Sequence, residues 1–406
     1  MTNSEIKRYT ALEISSKSVR LIHGYALDGL VYVLHALESN VNALDAGFVV
    51  ESDALTAAIK GVINAADETL QIKIREVVLA LPPMGLVFMR ENAITNTISL
   101  DNKVAQIDIN NCVSQLKKVR VSDNLKIIDV VPYSFTLENH ENHYEAPIGR
   151  TSETLTVHAS IYALDRNLVD GYLKVIENAG IKVRQMVVAP FATALYLQDN
   201  EQITSTSASY YLLNIGSEIT TLTQIQHRNL IAQNGCFKFG SDRITEYMSE
   251  KLQITTKEAK MLKEKYGIDH EPSFKVNIFN GLTIKDISTT IREAVEPLIS
   301  AIKKQIANWS SNDNRYLPIV LTGGGTKLNG LKELLEKELQ VTIIDATPYS
   351  FGARDKSYQN CLGLIKYADK YIPMEADDEF AQTSISRVQT KDSKKNPHSF
   401  NVHEEL

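Results

Sequence analysis

The feature that most constrains this chain is a pattern that occurs twice, once from Tyr9 and again from Tyr210. In the first copy an apolar run, Tyr9 to Ser15, enters the short polar loop "SSK". It leaves through two runs, Val19 to Ala26 and Leu30 to Leu37, joined by Leu27-Asp28-Gly29. Asp-Gly between apolar runs is a strong hairpin signal. The second copy reads "YYLLNI", then "GSE", then "TTLTQIQ", a polar turn at His227-Arg228-Asn229, and "LIAQNGCFKFG". Each copy predicts a buried strand, a tight loop and a hairpin. A duplicated unit of this kind implies two related domains that face each other across a cleft.

Helical spacing fills in the layers. Leu55, Ala58, Ile59, Val62, Ile63 and Ala66 fall on one face of a helix that starts near Asp53. A second helix from Asn167 turns Leu168, Tyr172, Leu173 and Ile176 inward, with Asp165 as its cap and Gly180 at its end. The strand "IKVRQMVVA" follows it, and strand-helix-strand order argues for an α/β fold with mixed sheets. The predicted division has a first domain at 1–85 and 164–203, onto which part of 345–373 packs back. An inserted subdomain covers 86–163, with a helix near Asp108 to Val119. A second domain covers 204–344, and 374–406 is expected to be a disordered tail.

Composition excludes several classes. With 43% hydrophobic residues and a net charge of -6 the chain is ordinary globular material, and no lysine or arginine cluster marks it for nucleic acid. No apolar run reaches the ~20 residues of a bilayer span. Cys112, Cys236 and Cys361 are scattered without metal or redox spacing, so no metal ligand set is assigned. The first residues, "MTNSEIKRYT", lack the apolar core of a secretory signal, so the expected location is the cytoplasm.

The clearest single motif is "LPIVLTGGGTKLNGLKELLEKELQVTII". A short strand, Ile319 to Leu321, ends in Gly323, Gly324 and Gly325. A helix with Leu331, Leu334, Leu335 and Leu339 inward follows, then a strand from Val341 to Ile344. Glycines after a strand let backbone approach a ligand, and helix N-termini favour anions, so the triplet reads either as a nucleotide wall or as a tight turn.

Together the three loops resemble those of the actin-like ATPases, and among these the bacterial division protein FtsA. "EISSKS" (Glu13 to Ser18) stands where that family reads "DIGTTK", and "NIGSEITT" (Asn214 to Thr221) where it reads "DIGGGTTD". "TGGGTKLNGL" (Thr322 to Leu331) stands for "TGGxxxLPGL", with Asn329 for proline. The segment "LKIIDVVPYSFTLENHENHYEAPIGRTSETLTVHASIYA" is similar to the FtsA inserted subdomain, and "FKFGSDRITEYMSEKLQITTKEAKMLKEKYG" to its nucleoside segment. The resemblance spans Tyr9 to Ala368 and implies the actin-like, ribonuclease H-like duplicated fold. It also implies a site for ATP or ADP with Mg²⁺ at Glu13, Ser15, Ser16, Asn214, Gly216, Ser217, Gly240, Glu258, Lys263, Gly323, Gly324 and Gly325.

The departures from the family motif bear on activity. The family's two metal-positioning aspartates are Glu13 and Asn214 here, and its last loop aspartate is Thr221. Ser15 replaces a glycine, and Ser18 takes the place of the family lysine. Glu218 stands at a glycine position, and a carboxylate ~4 Å from a phosphate costs on the order of 4 kcal/mol at an effective dielectric of 20. An amide at 214 lacks the charge that a hard dication prefers. Hydrolysis is therefore expected to be lost, with no catalytic residue assigned.

What the resemblance leaves is a scaffold. It implies self-association into filaments, other division proteins at the inserted subdomain, and the acidic C-terminal tail of FtsZ at a subdomain covering 242–315. There "LTIKDISTTIREAVEPLISAIKKQIANW" resembles a helix pair, with Arg292, Lys303 and Lys304 as partners for carboxylates. The implied location is the inner face of the cell membrane at the division site. The tail has seven acidic and four basic residues from Met374 on, and its bulky apolar groups such as Phe380, Ile385 and Val388 are sparse, so attachment to the membrane is expected through a partner. Two alternatives stand beside this reading: a pilus-type scaffold that binds a membrane-protein peptide between its domains, and an active ATPase or kinase.

Overall fold

The computed structural model describes residues 6–268, 277–309 and 317–372. Its first sheet takes in β1 (Tyr9–Ile14), β2 (Ser18–Leu27) and β3 (Leu30–Asn40), then, after helix α1 (Ser52–Leu70), β4 (Glu76–Leu81). An excursion follows through β5 (Val87–Asn96), α2 (Gln106–Leu116), β6 (Leu125–Leu137), β7 (Asn142–His143) and β8 (Thr154–Asp165). Helix α3 (Arg166–Asn178), strand β9 (Lys182–Val188) and helix α4 (Ala189–Leu197) bring the chain back. The second sheet starts with β10 (Tyr210–Ile215), β11 (Thr220–Gln226) and β12 (Leu230–Phe237). Helices α5 (Ser241–Leu252), α6 (Thr256–Tyr266) and α7 (Ile284–Trp309) lead to β13 (Ile319–Thr322), α8 (Leu331–Leu339) and β14 (Ile343–Asp345). Helix α9 (Gln359–Tyr371) ends the described chain.

The duplication is visible in the strand order. The first sheet runs β9-β4-β1-β2-β3 and the second β14-β13-β10-β11-β12, the same arrangement twice. In each, the leading strand pairs antiparallel with its hairpin partner, Ile14 opposite Val19 and Ile215 opposite Thr220. In each it also pairs parallel with a strand from much later in the chain, Leu12 opposite Leu79 and Leu213 opposite Leu321. This is the actin-like fold, with two sheet-rich domains. The excursion builds its own sheet, β5-β8-β6-β7, backed by α2.

Strand periodicity explains how the domains stack. Along β10, Tyr210 and Leu212 join one core while Tyr211, Leu213 and Ile215 join the other, as alternation in a sheet buried on both faces requires. Helix α4 lies in the shared core and is buried along its whole length, so every position carries an apolar or small residue except Thr193. Gly363 of α9 crosses it: a Cβ there would sit 1.9 Å from the Ala192 carbonyl oxygen.

Several sequence expectations shift. Asp165 caps α3 through hydrogen bonds from the Asn167 and Leu168 amides, as its position predicts. Helix α2 starts before Asp108, because that buried carboxylate accepts from the Ala105 and Ile98 amides and closes the first turn instead of preceding it. The segment 282–309, expected to resemble a helix pair, forms one continuous helix over Ile284–Trp309 that carries Pro297 inside it. Ile291, Val295, Leu298, Ile299 and Ile302 anchor it in the second core. The expected tail at 374–406 lies outside the described residues.

Candidate functional site

A cavity of about 250 Å³ opens where the carboxyl ends of β1, β4 and β10 converge, lined by both repeated loops and the glycine triplet. Ligands in open α/β sheets bind at this end of the strands. Ser15, Ser16, Asn214, Gly216, Ser217, Gly323, Gly324, Gly325 and Glu13 all border it, together with Pro82, Pro83, Tyr172 and Asn360.

The two loops have the same construction. Ser15 N–H donates to the Ser18 carbonyl at 2.8 Å, and Gly216 N–H to the Ile219 carbonyl at 2.9 Å, so each turn presents its third residue at the tip. Those residues are Lys17 and Glu218. They meet across the cleft at 3.5 Å, and Lys17 also pairs with Asp242 of the α5 first turn at 3.3 Å. Burial lowers the Lys17 pKa, but Asp242 and Glu218 outweigh it and hold the ammonium above its ordinary value. Ser18 does not face the ligand space: it is buried, and its amide donates to the Ser15 hydroxyl at 3.2 Å.

Glu13 closes the floor. Its Oε1 accepts from the Asn360 amide at 2.6 Å, and Oε2 lies 3.7 Å from the Arg20 guanidinium. Burial raises its pKa, while Arg20 and Asn360 pull it back. Thr193 donates to Asn360 at 2.5 Å and orients that amide. Thr221 pairs in register with Asn214 and is buried beside it.

The glycines divide by physical need. A Cβ at Gly323, where φ is +83°, would fall 2.3 Å from Asn214 Oδ1, and one at Gly325 would fall 2.8 Å from the Ile215 carbonyl oxygen. Both are required for packing against β10. Gly324 faces open space, so it alone in the triplet leaves room for a ligand. A Cβ at Gly240 would meet the Ser217 carbonyl oxygen at 2.2 Å, which seats α5 against the second loop.

Other expected residues lie outside the cavity. Glu258 is exposed and closes a capping box with Thr255 at the start of α6. Lys263 is buried, donates to the Ser241 carbonyl and the Thr245 hydroxyl at 2.7 Å each, and has its pKa lowered by burial. Helix α8 begins at Leu331 behind Gly330, where a Cβ would touch the Ile268 carbonyl at 2.0 Å, so its N-terminus packs on Ile268 and not on the cleft. Arg292 is half-buried on α7. Lys303 and Lys304 are exposed there, and Lys303 pairs with Glu338 at 3.2 Å.

The sequence reading missed Lys17 and Asp242. The signal for Lys17 was the repeat itself, since "SSK" and "GSE" put opposite charges at equivalent tips.

The nucleoside end of an adenine nucleotide suits this cavity, because Gly324 leaves its wall open. The phosphate and metal end does not. Glu13 has a guanidinium beside it, which repels a dication, and Lys17 already holds two carboxylates. Among the described residues no group of three His, Cys, Asp or Glu side chains is placed to hold a metal ion.

Residues 11–362 match the family model described as type IV pilus assembly protein PilM. The chain belongs to that family. It is also similar to cell division protein FtsA of Bacillus subtilis (strain 168), 22% identical over 384 residues, which cover 91% of this chain and 84% of the relative. Among solved structures it resembles a PilM-PilN type IV pilus biogenesis complex, with a TM-score of 0.62 and 18% identity over 89% of this chain and 98% of the other. It also resembles MreB5 of Spiroplasma citri bound to ADP, with a TM-score of 0.51 and 13% identity over 91% and 98%. The resemblance to FtsA read from the loops is thus carried by the relatives, while the family model bears the pilus name of the alternative reading. Among the described residues no helix is long and apolar enough to cross a membrane.

Proposed function

We propose that the protein is a cytoplasmic actin-like scaffold of bacterial division, which works through partner and filament contacts and does not turn over ATP. The observation that carries this is Lys17 bridging Glu218 and Asp242 across the cleft. In an actin-like ATPase the loops are joined through the nucleotide's phosphates, and here an internal cation joins them. The FtsA relatives support the division setting. In this reading the exposed Lys303 and Lys304 of α7, together with the half-buried Arg292, receive the acidic FtsZ tail. The inserted subdomain meets other division proteins, and a partner supplies the membrane contact at the division site.

The second reading, a pilus-type scaffold that holds a short peptide of a membrane protein, is favoured by the family model. Co-sedimentation separates the two. In the division reading the protein pellets with polymerised FtsZ, and Lys303→Glu with Lys304→Glu weakens this at least fivefold. Failure of the natural protein to pellet with FtsZ removes the division reading and leaves the pilus-type one. Release of phosphate from ATP above the rate of a mock-purified control removes the claim that the cleft is non-hydrolytic.

A further inference from the structure

A second hollow, of about 1070 Å³, lies at the opposite end of the first sheet from the cleft, around the amino ends of β1 and β4. Lys7, Arg8, Lys73, Arg75 and Arg184 border it, against the single carboxylate of Glu76. Glu76 is taken by Arg184 at 2.5 Å, and Lys73 pairs with Asp67 at 2.9 Å. Lys182 stands beside them, because its amide donates to the Arg75 carbonyl at 2.9 Å. Among the described residues Lys7, Arg8, Arg75 and Lys182 are exposed and have no carboxylate partner.

These cations come from segments far apart in the chain, 7–8, 73–75 and 182–184, so the sequence shows no cluster and only the fold makes one. Like charges gathered without counterions repel, so the group costs stability and is not explained by it. Charge at Lys182 and Arg184 guards the edge of β9 against pairing. That does not account for Lys7, Arg8 and Arg75, because β1 and β4 are interior strands of the sheet. In a chain whose net charge is -6, the hollow is a local exception that draws anions. Its shape and lining narrow their class. A flat bilayer meets cations that protrude, whereas these line a concavity that admits a chain. Single-stranded nucleic acid is held by stacking on exposed aromatic rings, and the rings at this hollow, Tyr9 and His23, are buried. An extended acidic segment of a protein fits both the shape and the charge, and arginine forks receive carboxylates well.

We propose that the hollow at the amino ends of β1 and β4 binds an extended acidic segment of a partner protein, with Lys7, Arg8, Arg75 and Lys182 as the cations that take its carboxylates. The site is on the first domain, apart from the cleft and from the α7 cations of the second. The contact is electrostatic and largely exposed, so it weakens as salt rises.

Zero-length carbodiimide coupling of the full chain to a peptide that alternates glutamate with glycine tests this, because it joins a carboxylate to a lysine only where the two are in contact. At about 0.15 M salt, where surface charges are screened beyond ~8 Å, adducts are expected at Lys7, Lys73 and Lys182 well above those at Lys238 and Lys257, exposed lysines of the second domain. Arg8→Glu with Arg75→Glu leaves the reporting lysines in place and lowers their adducts at least tenfold, and the neutral Arg8→Gln with Arg75→Gln at least threefold. Lys238→Glu with Lys257→Glu makes the same change in net charge and leaves them within twofold. Adducts spread evenly over exposed lysines, adducts unchanged in the arginine variants, or equal loss on changing Lys238 and Lys257 would overturn the proposal. So would retention of the natural protein, but not of the arginine variants, on phosphatidylglycerol vesicles from which the peptide fails to displace it, since a lipid surface would then be the ligand.

Discussion

At the scale of single residues, the site is governed by what each side chain is already bound to. Glu13 illustrates this: burial raises its pKa against the opposing pull of Arg20 and Asn360, so folding favours its protonated form relative to the unfolded chain. The stability that goes with this is present below the ordinary glutamate range and is lost as pH rises through the raised value. Glu13→Gln removes that loss, so the difference between urea midpoints at pH 5 and pH 8 is expected to shrink in the variant. An undiminished difference would place the titration elsewhere. The glycines give a second contrast. Gly240→Ala drives a Cβ into backbone and is expected to cost about 1–3 kcal/mol, whereas Gly324→Ala points into open space and is expected to leave the urea midpoint within error. Equal effects at both sites would contradict the packing account. Much of this was readable from the motif, since the glycines and Glu218 stand where the family pattern draws the eye. The pairing of Lys17 was not, because alignment to the family lysine pointed to Ser18, and only the turn geometry shows which residue reaches the tip.

At the scale of elements, periodicity did most of the work. The hairpins, α1, α3 and α8 follow their apolar spacing closely because one face of each is buried and the other is wet. Where expectations shifted, a local contact won. A buried Asp108 closed a turn, Gly330 turned the start of α8 away from the cleft, and the apolar face of α7 carried the helix through Pro297. Proline inside a helix removes a backbone hydrogen bond, so α7 depends on its buried face. Ile299→Ala is expected to cost about 2–4 kcal/mol, read from urea denaturation, while Lys304→Glu on the exposed face changes stability by less than about 0.5 kcal/mol. A small loss at Ile299 would mean that α7 is not held by the second core.

For the whole molecule, two similar domains share a core through α4 and β10, and further contacts tie them along the cleft. Asn234 donates to the Pro83 carbonyl at 3.0 Å, Asn229 to Gln198 at 3.1 Å, and Arg90 of the inserted sheet to Gln226 at 2.9 Å. The ion pair of Lys17 adds to these where the phosphate loops face each other. Each of its partly exposed contacts is worth about 0.2–1 kcal/mol and is screened by salt, so the pair sets which ligand enters more than it sets stability. The duplicated architecture was evident in the sequence because a strand, a tight loop and a hairpin recur in order. The closure of the cleft was not, because it depends on two charges brought together only when the domains meet. Equilibrium dialysis against labelled ATP with magnesium tests this directly, comparing the natural protein with a Glu218→Gln, Asp242→Asn variant that frees Lys17. The account predicts at least tenfold tighter retention of ATP by the variant and no hydrolysis by either protein. Equal retention by the two, or hydrolysis by the natural protein, would contradict it.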